Sequence, residues 1–238
     1  MITLHQFEIS PFCDKVRRVL HVKGQDYQVR EVPLFDVPLG FRKVNPAGKV
    51  PALEHDGRRI GDSTEIARYL EERFPEPPLM PSEPAERALC HLLEDWADES
   101  LYFYELRLRF GEPHNRKNWV PRLVRNDPAP LRGLLGLAVP RVLSMDMRSQ
   151  GIGRKPLAQV LHELARHVEA IAGWLGDREW LVGARLSLAD IAVFAQLVGI
   201  RGTDEGERTV AAVPRVTAWM TRVDEATARR PPSGRGAK

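Results

Sequence analysis

The sequence predicts a small α/β domain followed by an all-α domain, and three observations predict it. Up to about Phe74 short strand-like and helix-like segments alternate. Residues 75–84, PEPPLMPSEP, carry five prolines in ten positions, which the interior of neither a helix nor a strand accommodates. Beyond them only helical periodicity recurs. The expected boundaries are an α/β domain over 1–78, a linker over 79–85, a helical domain over 86–226 and a disordered basic tail over 227–238.

Taken in order, ITLHQF and YQVREV read as strands, with a helix from Pro11 to about Lys23 between them that stops at Gly24. Strand, crossover helix and strand make a βαβ unit with parallel strands. After an irregular stretch through NPAGK, PALEHDG and RRIG are two short strands joined by a turn at Asp56-Gly57, and STEIARYLEERF is a helix. In the second half Leu89, Leu92, Leu93, Trp96, Phe103, Leu106 and Phe110 share one face of a long helix. Leu157, Val160, Leu161, Leu164, Val168, Ile171 and Leu175 do the same later. Residues 111–153 read as less regular. In LSLADIAVFAQLVGI, Ser187 and Asp190 form a capping box at the head of a helix with little polar surface, which is expected to run through the middle of a bundle.

Composition excludes several classes of function. The N-terminus has no basic segment followed by an apolar run, so no signal peptide is expected. The most apolar stretch, IAVFAQLVGI, falls well short of the roughly 20 residues that cross a bilayer. Two cysteines, Cys13 and Cys90, argue against a disulfide framework and fit a reducing cytoplasm. No Cys, His and carboxylate cluster has metal-site spacing, and no Gly-rich phosphate loop is present. The four basic residues of the final RRPPSGRGAK account for more than the whole net charge of +3. The body therefore lacks the charge excess that nucleic-acid binding calls for.

Three stretches carry candidate chemistry. Ser10-Pro11 suits a plain helix start, because serine caps free amides and proline fits the first turn. The same geometry aims free N–H groups and the positive end of the helix dipole at whatever sits beside Ser10, where a thiol would ionise more easily. Cys13, one turn further in, stands where the second Cys of a redox C-x-x-C would, or is buried filler. In NPAGKVPALE, Pro51 drives Val50 to an extended conformation whose backbone can pair with an extended peptide. In GDSTEIARYL, Asp62 and Glu65 make a capping box, while Ser63 and the free amides suit a carboxylate and Asp62 an ammonium.

SPFCDKVRRVL, NPAGKVPALE, GDSTEIARYLEERFP and LSLADIAVFA, in this order, strongly resemble the cytosolic glutathione S-transferases, most closely over 1–80 and 181–200. The resemblance implies a thioredoxin-like N-terminal domain, a helical C-terminal domain, glutathione as co-substrate, a homodimer and a detoxifying role in the cytoplasm. By position Ser10 takes the place of the hydroxyl that stabilises the thiolate in serine-type members. Val50 and a cis Pro51 pair with the cysteinyl backbone, Lys49 lies near the glycine carboxylate, and Asp62 and Ser63 hold the γ-glutamyl end. Phe12 joins the glutathione-binding set. Cysteine-type members have Cys at the Ser10 position, so Cys13 lacks their attacking partner. QGIGRKP resembles the metaxin-like and failed-axon-connections-like branch.

The catalytic candidates are thus Ser10 and Cys13, in an enzyme that activates the glutathione thiol for attack on a small, apolar electrophile. The alternatives are a thiol–disulfide oxidoreductase using Cys13, and a non-catalytic protein-interaction module like the stringent-starvation-protein relatives. An acceptor pocket is expected between the domains, with Trp96, Tyr102 and Tyr104 as liners. Arg107 and the cluster Arg116, Lys117, Arg122 and Arg125 offer charge for an anionic acceptor, or form a solvated face.

Overall fold

Strand β1 (Ile2–Gln6) lies inside a four-stranded sheet in the computed structural model, which describes residues 1–228. The predicted basic tail falls, from residue 229 onward, outside the described residues. The strand order is β2-β1-β3-β4, with β2 (Tyr27–Glu31) parallel to β1, β3 (Ala52–His55) antiparallel to β1, and β4 (Arg58–Gly61) antiparallel to β3. The β3–β4 turn places Asp56 and Gly57 at φ 50° and 77°, the left-handed pair that a two-residue hairpin requires. Leu4 and Leu53 face Val16, Val19, Leu20 and Ile66 in the main core, whereas Ala52 turns to a smaller cluster with Val32 and Phe41. The irregular stretch after β2 therefore covers the second face of the sheet.

Between the first two strands runs α1 (Pro11–Val22), capped by Ser10 and ended at Gly24, whose φ is 64°. After β4 comes α2 (Ser63–Arg73). Among the described residues the regular elements of the second half are all helices: α3 (Pro84–Trp96), α4 (Tyr102–Leu106), α5 (Pro113–Leu123), α6 (Ala129–Gln150), α7 (Leu157–Leu175), α8 (Leu188–Arg201), α9 (Asp204–Ala211) and α10 (Pro214–Thr227). Two π-helical turns, Ala97–Leu101 and Arg107–Gly111, carry the chain through α3 and α4 without a break.

Two expectations are corrected. Residues 111–153, read as less regular within the helical domain, hold α5 and α6. Each contains an interior proline, Pro121 or Pro140, and α6 buries only Val139 and Met147, so its pattern lacks the stripe that betrays a helix. Leu92, placed on the buried face of the long helix, is 65% exposed. The buried line runs through Cys90, Glu94, Ala97 and Leu101, two positions away, and the π turns rotate the downstream residues relative to an uninterrupted 3.6-residue period.

As its composition implied, α8 is buried on nearly every side, packing on α1 of the first domain and α3 of the second. Both domains share one hydrophobic core through it. The capping box at its head is present, and it does more than cap. Asp190 Oδ1 accepts from Leu181 N–H at 2.8 Å and Trp219 Nε1–H at 2.9 Å, while Oδ2 accepts from Ser187 N–H at 3.0 Å and its hydroxyl at 2.7 Å. Burial pushes this carboxyl above the usual range against the pull of its donors. Asp190→Asn, which keeps the shape but turns one acceptor into a donor, is expected to cost about 2 kcal/mol in urea unfolding. Glutathione affinity of the folded fraction should stay near the parent value, and a large affinity loss at parental stability would contradict a purely structural role.

Candidate functional site

The register of the sheet assembles the site. Ala52 pairs with His5 on one side and with Gly61 on the other. Pro51, Asp62 and the loop that follows Gln6 therefore leave the sheet along the same edge, and that loop leads into Ser10. Ser10 has extended backbone, and its Oγ accepts the Cys13 N–H at 3.4 Å. A hydroxyl that accepts with a lone pair keeps its proton available to donate. Cys13 is fully buried, and burial pushes its thiol up to about 11, against a smaller opposing pull from hydrogen bonding to Ser10. A thiol that is inaccessible and protonated at neutral pH is a poor nucleophile.

Asp62 caps α2 by accepting from the N–H groups of Thr64 at 2.9 Å and Glu65 at 3.3 Å. It does so at φ 72°, ψ 132°, a backbone state that a residue with a Cβ adopts at a cost of about 1–3 kcal/mol. Ser63, the first helical residue, is buried beside it. The Val50–Pro51 bond is cis, and Lys49 is exposed just before it. The Phe12 ring packs on Tyr102 with centroids 4.8 Å apart, so it is engaged across the domain boundary.

A cleft of about 500 Å³ opens where the two domains meet at Ser10. The first domain lines it with Glu8, Ile9, Ser10 and Arg17, the second with Arg109, Trp119, Arg122 and Arg125. The aromatic liners expected from the sequence lie elsewhere. Trp96 and Tyr104 both pack against His167, and Tyr102 lies between Phe12 and Phe103. The basic cluster divides: Arg107 pairs with Glu112 and Arg116 bonds the Phe110 and Gly111 carbonyls, whereas Arg122 and Arg125 reach the cleft. A larger cavity of about 730 Å³ between α2 and α3 contains none of Ser10, Asp62 and Ser63, so size alone does not locate the chemistry.

Sequence reasoning missed two groups. Arg109, 5% exposed, pairs with Glu105 and donates to the Ile9 carbonyl at 2.8 Å and the Gly199 carbonyl at 2.9 Å, which ties the second domain to the residue before Ser10. Lys15, 1% exposed, reaches Glu94 at 2.6 Å, Asp98 at 2.5 Å and Thr64 at 3.4 Å beneath the α2 N-terminus. A signal for Lys15 existed, since it sits on the Pro11–Lys15–Val19 face of an otherwise apolar helix side. None existed for Arg109. Among the described residues no group of His, Cys, Asp and Glu could hold a metal ion, and no helix is long and apolar enough to cross a membrane.

Residues 4–78 match the family model of the glutathione S-transferase N-terminal domain, and residues 142–226 that of the C-terminal domain. Maleylacetoacetate isomerase of Pseudomonas aeruginosa is 30% identical over 201 residues, which cover 82% of this chain and 79% of that protein. The chain belongs to the glutathione S-transferase family. Glutathione S-transferase 1 of Dianthus caryophyllus is 44% identical over 89 residues, and this match spans 36% of the chain and only 40% of the relative's length. A glutathione S-transferase structure from Rhodospirillum rubrum covers the whole chain, with 94% of its own length aligned, a TM-score of 0.69 and 26% identity. The glutathione S-transferase family joins a thioredoxin-like domain to a helical domain and uses glutathione as co-substrate. Residues 79–141, which contain Arg109, Trp119 and Arg122, lie between the two family-model matches.

Proposed function

We propose that the chain is a glutathione transferase, which binds glutathione along the sheet edge and activates its thiol for attack on a small electrophile in the interdomain cleft. The observation that carries this reading is Ser10, whose capping hydroxyl opens on the cleft at the N-terminus of α1. A thiol brought there gains a hydroxyl donor and the positive end of a helix dipole, both of which favour the thiolate over the thiol. Its proton passes to solvent. Asp62 holds the γ-glutamyl ammonium, the Ser63 hydroxyl and its own amide the carboxylate, the Val50 backbone beside Pro51 the cysteinyl segment, and Lys49 the glycine carboxylate. The strained backbone at Asp62 supports this assignment, because strain of that kind persists at ligand clamps. The buried, protonated Cys13 weighs against a disulfide-exchange enzyme. We expect a homodimer, as the resemblance implies, and the mass of a single chain in sedimentation at micromolar concentration would count against it.

The test is a calorimetric glutathione titration of Asp62→Ala and Asp62→Gly. Both remove the carboxylate, and each is expected to weaken binding about tenfold, the effect of losing one charge-assisted hydrogen bond. Asp62→Gly also relieves the left-handed strain, so it should be at least as stable as the parent while binding less tightly. Parental affinity in both variants would show the γ-glutamyl assignment to be wrong.

A further inference from the structure

We propose that the acceptor in the interdomain cleft is an acidic electrophile, a reactive carbon compound bearing a carboxylate, and that Arg122 is the residue that recognises it. This rests on the transferase reading above and names the substrate class of the same site. It also revises the apolar acceptor expected from the sequence.

Four guanidinium groups line the cleft, and their partners decide the matter. Arg17 donates to Gln6 Oε1 at 2.7 Å, Asp14 at 3.1 Å and the Glu8 carbonyl at 3.2 Å. Arg125 pairs with the Glu8 carboxylate, and Arg109 with Glu105. Both carboxylates that line the cleft, Glu8 and Asp14, are thereby engaged. Arg122 is left. Among the described residues it has no carboxylate or carbonyl partner, and its guanidinium lies 4.9 Å from the centre of the Trp119 ring. Arg109 lies on the same ring at 3.8 Å, and Trp119 itself is 7% exposed. The indole is thus a fixed support that orients Arg122 without being free to stack on a ligand. A purely apolar acceptor would press against this unpaired cation and strip part of its hydration. A carboxylate would instead complete the fork of donors that a guanidinium presents.

The test uses an aroylacrylate and its methyl ester with glutathione. Sulfur bonds to the alkene carbon, the alkene pair moves to the carbonyl oxygen as an enolate, and a solvent proton restores the ketone. No bond to a leaving group breaks and no oxidant is needed. For each acceptor kcat/KM is divided by the uncatalysed rate, which removes the intrinsic reactivity difference. The parent is expected to prefer the acid, and Arg122→Gln to lower the acid-to-ester ratio about fivefold, a modest figure because the side chain is exposed and screened. Arg122→Lys should restore part of the ratio. The glutathione adducts of both acceptors are also titrated by calorimetry, which needs no turnover. The acid adduct should bind the parent about fivefold more tightly than the ester adduct, and the gap should close in Arg122→Gln. Equal adduct binding by the parent, or a preference that survives Arg122→Gln, overturns the acidic-acceptor proposal. Adducts bound with the acid preference but never turned over would uphold Arg122 and overturn the transferase reading. If neither adduct binds, both fall.

Discussion

Replacing Ser10 by alanine is expected to lower conjugation at neutral pH by about ten- to a hundredfold, with a much smaller effect on glutathione binding. The hydroxyl donates to the bound sulfur only when that sulfur is charged, so its loss falls on the thiolate and spares the thiol. A hydrogen bond to a charged group contributes about 1.5–3 kcal/mol, and one unit of pKa corresponds to ~1.4 kcal/mol, so the bound thiol should rise by about one to two units. The sign sets the pH dependence. Below the parent thiol's pKa the variant should show the whole deficit, and as pH rises through the variant's higher value the two rates should converge. Loss of the helix cap, typically ~1 kcal/mol, is controlled by Ser10→Thr, which keeps the hydroxyl. Cys13→Ser should conjugate nearly as well as the parent, because that thiol is buried and protonated. The measurement is thiolate absorbance against pH in the glutathione complex. Should Cys13→Ser abolish turnover while Ser10→Ala does not, disulfide chemistry at Cys13 replaces this mechanism.

The largest stability loss is expected from Lys15→Met, about 3–5 kcal/mol at pH 8, the range found when one partner is removed from a buried ion pair. Burial works against the Lys15 charge, but Asp98 and Glu94 outweigh it and hold the ammonium above its ordinary value. Burial also lifts Asp98 above the usual carboxylate range, and Lys15 only partly offsets this. Methionine fills the space and leaves those carboxylates facing each other without a cation. With Lys15 gone, Asp98 would climb further above its unfolded value of about 4, so near neutral pH the folded protein would hold a proton that the unfolded chain releases, and stability falls accordingly. A raised carboxyl costs stability above its folded pKa and costs nothing below the unfolded one. The deficit of Lys15→Met should therefore shrink as pH falls from 8 toward 4. Urea unfolding of parent and variant across that range measures it. A variant as stable as the parent at pH 8, or a deficit that grows on acidification, would exclude this account of the cluster. Because Thr64 hydrogen-bonds both Lys15 and Glu94, the same substitution should loosen the α2 N-terminus beside Asp62 and Ser63.

Much of this molecule is legible in its amino-acid order. The break at the proline-rich linker, the hairpin at Asp56-Gly57, the start of α1 at Ser10-Pro11 and the Ser187–Asp190 box are all local. Each depends on residues within about four positions, where backbone sterics and capping decide the outcome. The buried course of α8 could be read the same way, because a helix apolar on every side has nowhere else to go. Where the pattern was weak, the reading failed. In α6 most side chains face solvent, so no apolar stripe marks the helix, and in α3 the buried line runs through a cysteine and a carboxylate, Cys90 and Glu94, so the apolar pattern pointed to Leu92 instead.

The site divides along the same line. Ser10, Val50, Pro51, Asp62 and Ser63 stand at the ends of strands and the starts of helices, and those are positions a sequence marks. That they share one edge of the sheet comes from the strand register, Ala52 between His5 and Gly61. The acceptor side was marked only in part: Arg122 and Arg125 stood in the basic cluster offered for an anionic acceptor, but which of its members reach the cleft did not follow from the sequence. Arg109 reaches Ile9 across 100 residues, Lys15 reaches Asp98 across 83, and Arg122 lies in the cleft through a helix whose apolar pattern is faint. The sequence alone determined the local conformations and the two-domain layout, because their causes are short-range. Which charges are paired and which one is left facing the cleft was decided only by tertiary packing, since a charge is free or neutralised according to what distant segments bring to within a few ångströms of it.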